Sequence, residues 1–220
     1  MRELIERYVR EMVKIPSTSN TETEKNCADY IAEELAKQPY FKEHPEQTGK
    51  YLLPEDSLGR SVPWGLVKGN GGSRKTIILT GHYDVVDTEE YGNERVLAYD
   101  IEKWKNLENR DAILKGMPDE VKEDFLSGDW MFGRGTADMK DWYGKMVAEA
   151  EGKARSVAVS EAEIASELGD ASGISGNLLF VTVPDEEGYS AGMRGAVPFL
   201  NEVKERFDLE YTALIDLEPA

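Results

Sequence analysis

Three short segments rich in metal-ligand side chains follow apolar stretches of this sequence. They are residues 81–84 (Gly-His-Tyr-Asp), 184–187 (Pro-Asp-Glu-Glu) and 216–219 (Asp-Leu-Glu-Pro). Imidazoles and carboxylates are the groups with which proteins bind zinc and similar divalent ions. A bound cation lowers the pKa of its water to about 7, and a nearby carboxylate can accept the proton. These residue types could therefore support metal-assisted hydrolysis.

His82 is one of only two histidines, and Asp84 lies two residues after it. A zinc-binding imidazole usually donates its other ring N–H to a carboxylate, which fixes its tautomer and orientation. Asp84 is well placed for that task. Taken alone, however, a His-x-Asp pattern is more often a structural histidine that is hydrogen-bonded in a loop.

A further acid, Asp138, lies in the segment 133–140 (Gly-Arg-Gly-Thr-Ala-Asp-Met-Lys), at the head of a strongly amphipathic helical pattern. The simplest interpretation is a helix cap, because Asp suits the positive end of the helix dipole. The glycines on both sides of Arg134, however, allow close backbone approach, and one carboxylate can bridge two cations.

The three consecutive acids at residues 185–187 are also ambiguous on their own. Adjacent carboxylates repel, so a solvated turn before a helix that begins near Ser190 is the simplest interpretation. In extended backbone, neighbouring side chains point apart, so one glutamate can bind metal while the next faces a bound water. Glu218 ends another apolar stretch and alone would pass for a surface acid.

The elements that must position these residues can be predicted from hydrophobic periodicity. Helical spacing covers residues 4–13, ended by Pro16, and residues 27–35, preceded by a capping-box pattern of Thr21 and Glu24. Further helices are predicted at residues 118–126, 139–150, 160–168 and 193–203.

Strands are predicted at residues 62–68, 76–80, 177–183 and 211–217. Residues 69–72 (Gly-Asn-Gly-Gly) indicate a hairpin-type turn between the first two. Alternation of strands with helices favours an α/β fold with a mainly parallel sheet. In such sheets ligands gather at the carboxyl ends of the strands, which is where the acidic segments lie.

Composition narrows the class of protein. The 220 residues fit one large or two small domains, and 40% hydrophobic with 31% charged residues is typical of a soluble globular chain. The net charge of −17 disfavours nucleic acid and anionic membranes as partners. Cys27 has no second cysteine to pair with, and residues 1–15 are too charged for a signal peptide. We therefore expect a reducing, cytoplasmic location.

The segments 81–86, 133–140, 184–187 and 217–219 occur in the order and rough spacing of the M20 family of zinc peptidases and amidohydrolases. The sequence resembles this family over nearly its whole length. Residues 99–128 and 132–135 are most similar to its arginine-utilisation branch. The resemblance implies a three-layer α/β/α fold with a mainly parallel sheet, that of the phosphorylase/hydrolase-like zinc exopeptidase catalytic domain.

The resemblance also implies a co-catalytic pair of zinc ions, with Co or Mn as alternatives. By position, His82 would bind one ion, Asp138 would bridge both, Glu187 would bind the other, Glu218 would complete the first, Glu186 would be the general base, and Asp84 would orient His82. The implied reaction is hydrolysis of amide bonds in small peptides or N-acylated amino acids. A homodimer is compatible with the resemblance for the complete protein.

The sequence departs from the family in two respects. No histidine follows His82, although family members carry a late histidine ligand, and His44 lies in a polar loop that we do not expect to replace it. The chain also stops two residues after Glu218, where the family inserts a lid or dimerisation domain. It is either an N-terminal portion of a longer polypeptide, which we favour, or a natural short form. In either case we expect this chain alone to be inactive and to hold zinc weakly or at one position.

Two other functions compete with hydrolysis. The missing histidine favours a catalytically silent fragment or family member that acts in binding or assembly, whereas the retained Glu186 favours catalysis. A third possibility is an acidic module that binds Mg²⁺ or Mn²⁺ through residues 185–187 and Asp138. It is the weakest of the three because His82 prefers zinc-like ions.

Overall fold

The computed structural model of the protein describes residues 2–105, 114–140 and 175–216. Its helices are α1 (Arg2–Val13), α2 (Glu24–Lys37), α3 (Pro39–Glu43), α4 (Ile101–Lys105), α5 (Asp119–Ser127) and α6 (Ala191–Phe207). 3-10 segments occupy Pro45–Gln47 and Glu89–Tyr99, the latter kinked at Gly92. None of the described helices is long and apolar enough to cross a membrane.

Five strands form one sheet in the order β1-β2-β4-β3-β5. The strands are β1 (Thr48–Leu52), β2 (Ser61–Lys68), β3 (Lys75–His82), β4 (Asn177–Val183) and β5 (Glu210–Asp216). β3 pairs in parallel with β4 and β5, whereas β2 is antiparallel to β1 and β4. Four strands therefore share one direction and only β2 opposes them. The α/β architecture is confirmed, with a mixed sheet.

Helices cover both faces of the sheet and create two cores. On one face, α1 and α2 pack against the sheet through residues such as Met12, Ile31 and Phe180. On the other, Phe199 and Val203 of α6 pack against the opposite side chains of β2, β3 and β4. Successive strand residues point to opposite faces, so a strand that is buried on both faces has a continuous run of apolar residues in its sequence. Because β3 and β4 pair in parallel, with His82 opposite Val183, their carboxyl ends lie side by side.

The predicted hairpin between β2 and β3 is wrong. β4 lies between these two strands and is hydrogen-bonded to both of them. The loop that precedes β4 contacts the glycine-rich segment, since Gly69 N donates to Gly176 O at 3.1 Å. A local turn signal cannot reveal that a strand more than a hundred residues away is inserted between its two arms.

The predicted capping box at the start of α2 is also wrong. Thr23, and not Thr21, occupies the N-cap position, and the Thr23 side chain makes no capping hydrogen bond. Glu24 points into the interior, where its carboxylate contacts Arg60 and the backbone of Asp185. Burial with a cationic partner has thus overridden the local capping preference. The other predicted helices in the described residues are confirmed, whereas those predicted at residues 160–168 and, beyond Lys140, at 139–150 lie outside them.

Gly192 shows how closely α6 approaches the end of β4. A Cβ added at this position would lie 2.1 Å from the carbonyl oxygen of Pro184. Because that neighbour is backbone, we expect Gly192→Ala to cost about 2 kcal/mol, the usual range for overpacking. This corresponds to a melting temperature lowered by roughly 4–8 °C in thermal unfolding.

Gly195→Ala is a matched control in the same helix. Its added Cβ would meet the end of the Leu53 side chain, at 2.4 Å, and not backbone. The Leu53 side chain can rotate away, and alanine improves helix propensity by about 1 kcal/mol. Equal melting temperatures for the two variants would show that the close approach of Pro184 does not exclude a side chain at position 192.

Candidate metal centre

His82, Asp138 and Glu187 come together at the carboxyl ends of β3 and β4. One ligand atom from each lies within 4.8 Å of the others. His82 is the last residue of β3, and Glu187 follows β4. Asp138 lies just before a helical residue, Lys140, and its carboxylate is 53% exposed. The structure thus brings together three residues that the sequence analysis selected separately.

Hydrogen bonds around His82 indicate which ring nitrogen would bind a metal. Nδ1 lies 3.0 Å from the carbonyl oxygen of Asp84 and 3.4 Å from its carboxylate. Because both groups only accept hydrogen bonds, we assign the proton to Nδ1. Nε2 then presents its lone pair to an Asp138 oxygen at 3.1 Å. Two acceptors at this separation require a proton or a cation between them.

The electrostatics of the carboxylates agree with a cation site. Burial raises the pKa of Glu187, and the negative charge of nearby Asp138 raises it further. Carboxylates that are crowded in this way gain from a divalent ion, which offsets their repulsion. The donor set of one imidazole and two carboxylates is chemically suited to zinc.

A cleft of about 180 Å³ opens at this centre. Asp138 and Glu187 line it, together with Val86 and residues 133–137. Glu186 lies beside the same centre, with its Oε2 atom 4.0 Å from His82 Nε2 and its side chain 34% exposed. A small molecule in the cleft would therefore meet two proposed ligands, with a further carboxylate close by.

Asp84 is fully buried and joins the two strand ends. Its carboxylate faces the His82 ring and accepts the Ser19 hydroxyl at 2.6 Å. It also accepts the backbone N–H groups of Glu186 at 3.0 Å and Glu187 at 3.2 Å. Burial alone would raise the pKa of Asp84, but the hydrogen bonds from His82 and Ser19 outweigh it and lower the pKa below its usual value.

The backbone at residues 185–187 differs from the extended form used in the sequence argument. Asp185 has a positive φ of 57°, and residues 186–189 form a turn. The Asp185 carboxylate accepts the N–H of Ala191 at 3.1 Å and so caps α6. The three acids therefore differ in environment: Asp185 is buried at the helix, while Glu186 and Glu187 lie at the centre.

The sequence analysis missed a buried ionic cluster behind this turn. Arg60, only 4% exposed, contacts Glu24 at 3.3 Å, Asp56 at 2.8 Å and Asp185 at 3.5 Å. No local pattern marks Arg60, and Glu24 resembled a helix cap. Lys140 was also missed: it is fully buried and donates to the carbonyls of Met12 and Ile15.

A comparison with curated protein sequences identifies a bacterial relative of this chain. The chain is 31% identical to the protein RocB of Bacillus subtilis over 98% of its own length. It spans about a third of the length of the curated relatives it matches, 35% for RocB. No family model matches the chain.

Solved structures with a similar fold include peptidases of the M20 family. Human carnosine dipeptidase 1 superposes on 98% of the chain with a TM-score of 0.56 at 14% identity, the match covering 38% of the dipeptidase. The YXEP protein of Bacillus subtilis, described as a dinuclear metal binding peptidase from the M20 family, also covers 98% of the chain. Its TM-score is 0.50 and its identity 14%, over 42% of its own length. The chain is a relative of RocB with the fold of the M20 metallopeptidases.

Two sequence predictions concern further members of the M20-type ligand set. Glu218 lies outside the described residues. β5, which precedes it, runs parallel to β3 with Asp216 opposite Thr80, so both strands end at the same edge of the sheet. His44 lies at the end of α3 and packs on Tyr40, with ring centroids 4.6 Å apart. It is not a member of the cluster formed by His82, Asp138 and Glu187.

Glu24 is expected to make the stability of the folded protein depend on pH. Burial and then the negative charge of Asp84 raise its pKa to about 7, against the opposing effect of Arg60. A carboxyl group whose pKa is raised on folding binds more protons in the folded state, so its contribution to stability falls as pH rises from about 4.5 to about 7. We therefore expect the wild type to lose stability relative to Glu24→Gln over this range.

Urea unfolding of the two proteins between pH 4.5 and pH 8 measures this difference. Glutamine cannot titrate, so the change of this free-energy difference with pH reports the protonation of Glu24. The charged groups that lie around Glu24 are Asp84, Asp185 and Arg60. A difference that stays constant with pH would contradict the raised pKa.

Proposed function

We propose that the polypeptide to which this chain belongs hydrolyses amide bonds in small peptides or N-acylated amino acids, with a pair of zinc ions as cofactor. The observation that carries this proposal is the cluster of His82, Asp138 and Glu187, with Glu186 beside it. The dipeptidase and the dinuclear metal binding peptidase that share its fold support the same reaction class.

The proposed roles follow the chemistry of each side chain. His82 would bind one ion through Nε2, because Nδ1 is engaged by Asp84. Asp138 would bridge the two ions, since its carboxylate faces His82 and lies within 4.8 Å of Glu187. Glu187 would hold the second ion, and Glu218 is proposed as a further ligand of the first on the resemblance alone. Co or Mn could replace zinc in such a donor set.

When bound, the ions would supply positive charge beside the substrate carbonyl and lower the pKa of a water. Glu186 is then the general base. It accepts the proton of the attacking water and returns it to the leaving amine, so that one carboxylate serves both halves of the reaction. Asp84 keeps the His82 ring in a single orientation and tautomer throughout.

The organisation of the whole protein is also a proposal. We propose that the 220 residues are the N-terminal part of a catalytic domain whose remaining part and lid follow in a longer chain. The match to only 35% of RocB supports this. A homodimer and a role in arginine utilisation stay predictions from the sequence resemblance, and a cytoplasmic location stays a prediction from composition.

Removal and return of metal in the full-length protein tests the proposed reaction. After dialysis against a chelator, hydrolysis of a panel of dipeptides and N-acetyl amino acids is expected to fall to background, because the positive charge beside the carbonyl and the lowered pKa of the water are lost with the ions. Added Zn²⁺, Co²⁺ or Mn²⁺ should restore it. Mg²⁺ is the matched control, since it prefers an all-oxygen octahedral site and binds an imidazole poorly. Full activity in the chelated protein would refute a metal-dependent mechanism.

One observation favours a second function, a silent protein that acts in binding or assembly. Among the described residues the cluster consists of His82, Asp138 and Glu187, which are fewer protein ligands than two zinc ions usually take. Full-length protein that retains zinc after dialysis, yet hydrolyses no member of the substrate panel, would support this alternative.

A further inference from the structure

Three successive backbone amides at the proposed catalytic turn donate to two buried carboxylates. The N–H of Asp185 donates to Glu24 Oε1 at 2.7 Å. The N–H groups of Glu186 and Glu187 donate to the two oxygens of Asp84. The Glu186 and Glu187 N–H groups thus converge on one carboxylate, whereas the Asp185 N–H is satisfied by a second one. The backbone from which the Glu186 and Glu187 side chains project is therefore fixed by Glu24 and Asp84.

The Asp185 conformation requires such an anchor. A non-glycine residue is less stable in the left-handed region than in the right-handed one, and Asp185 has a φ of 57°. A buried amide without a hydrogen-bond partner would add a further cost. The Glu24 carboxylate removes the second cost and so makes this conformation accessible. The orientation of the next two residues depends on it.

Glu24 is itself held in one position. It is fully buried at the first residue of α2, and its second oxygen lies 3.3 Å from Arg60 Nη1. Arg60 is fixed in turn by Asp56, which accepts from its Nε, its Nη2 and its backbone N–H. Through this chain of contacts, the start of α2 and the loop before β2 determine where the turn after β4 lies.

From these contacts we infer that Glu24 is a positioning residue, which aligns Glu186 and Glu187 through its hydrogen bond to the Asp185 amide. This inference rests on the proposed function for the roles of the two glutamates. In this role the length of the Glu24 side chain matters and its charge does not, because the Asp185 amide needs an acceptor at a fixed distance. A buried ion pair that merely stabilises the fold is the alternative.

Two substitutions in the full-length protein separate reach from charge. Glu24→Gln keeps the length and an acceptor oxygen but loses the charge. Glu24→Asp keeps the charge but is one methylene too short to reach the amide. Leu35→Ala, in the buried face of the same helix, is the control for general loss of stability. Zinc affinity is measured by chelator competition, and kcat and KM are measured on any substrate that the wild type hydrolyses.

We expect Glu24→Asp to weaken zinc binding or lower kcat by about 10–100-fold, the usual effect of removing support behind a metal ligand. Glu24→Gln should stay within about threefold of the wild type, and Leu35→Ala should change only the melting temperature. Wild-type zinc affinity and kcat in Glu24→Asp would overturn the inference. So would the reverse order, with Gln impaired and Asp normal, since it would assign the effect to charge.

The zinc measurement keeps this inference distinct from the proposed function. If the wild type binds zinc but hydrolyses nothing, the proposed hydrolase activity fails, while the ratio of affinities between Glu24→Asp and Glu24→Gln still tests positioning. If hydrolysis is confirmed and the two variants match the wild type in affinity and kcat, only the positioning role is refuted.

Discussion

Replacing Glu186 by glutamine in the full-length protein is expected to lower kcat for amide hydrolysis by a factor of about 10²–10⁴, the range for loss of a general base. Glutamine has nearly the same shape but cannot accept the proton of the attacking water. The zinc content should not change, because Glu186 lies beside the cluster of proposed ligands and is not one of its members. Steady-state kinetics and metal analysis on the same preparation measure both quantities.

Two controls make this result specific. Glu202→Gln removes an exposed carboxylate from α6 and should leave kcat and zinc content at wild-type values. Glu187→Gln should instead lower the zinc content, since Glu187 belongs to the cluster. Loss of zinc in Glu186→Gln would show that Glu186 is a ligand. Retained activity would show that the general base is a different residue.

Replacing Asp84 by asparagine is expected to destabilise the protein by about 3 kcal/mol, the lower end of the cost of disrupting a buried charged network. The asparagine amide would place an N–H donor opposite one of the two backbone donors, Glu186 N or Glu187 N, that the carboxylate now accepts. Thermal unfolding should show a melting temperature lower by roughly 6–12 °C. Zinc affinity should fall by about 10–100-fold, because His82 loses an acceptor that orients it.

Asp29→Asn is the matched control for the Asp84 variant. Asp29 is exposed and paired with Lys50, and an exposed ion pair contributes about 0–1 kcal/mol. Its melting temperature should therefore stay close to that of the wild type. An Asp84→Asn protein that unfolds at the wild-type temperature and binds zinc normally would contradict the central position of Asp84 in this site.

Much of the fold could be predicted because its signals are local. The apolar run of β4 is predicted with the same bounds that the structure has, and the stripe of α1 ends before Pro16 as expected. The grouping of His82 and the acids at one sheet edge also follows from sequence, since parallel strands present their carboxyl ends together. β1, by contrast, was not predicted, because its residues are only partly buried and lack a clear apolar pattern.

The contacts that hold the site could not be predicted from sequence. Glu24 and Asp185 are 161 positions apart, and only the insertion of β4 beside β2 and β3 brings them together. Ser19 lies in the polar stretch between α1 and α2, where no sequence pattern marks it, although its hydroxyl donates to Asp84. Polar residues of this kind carry no periodicity, so their partners become visible only when the strand order is known.

Anomalous X-ray scattering at the zinc edge, from crystals of the zinc-loaded full-length protein, tests the central claim most directly. We expect a peak within bonding distance of His82 Nε2 and an Asp138 oxygen, and a second peak within bonding distance of Asp138 and Glu187. Zinc at other residues, or strong density at none of these three, would contradict the proposed metal centre.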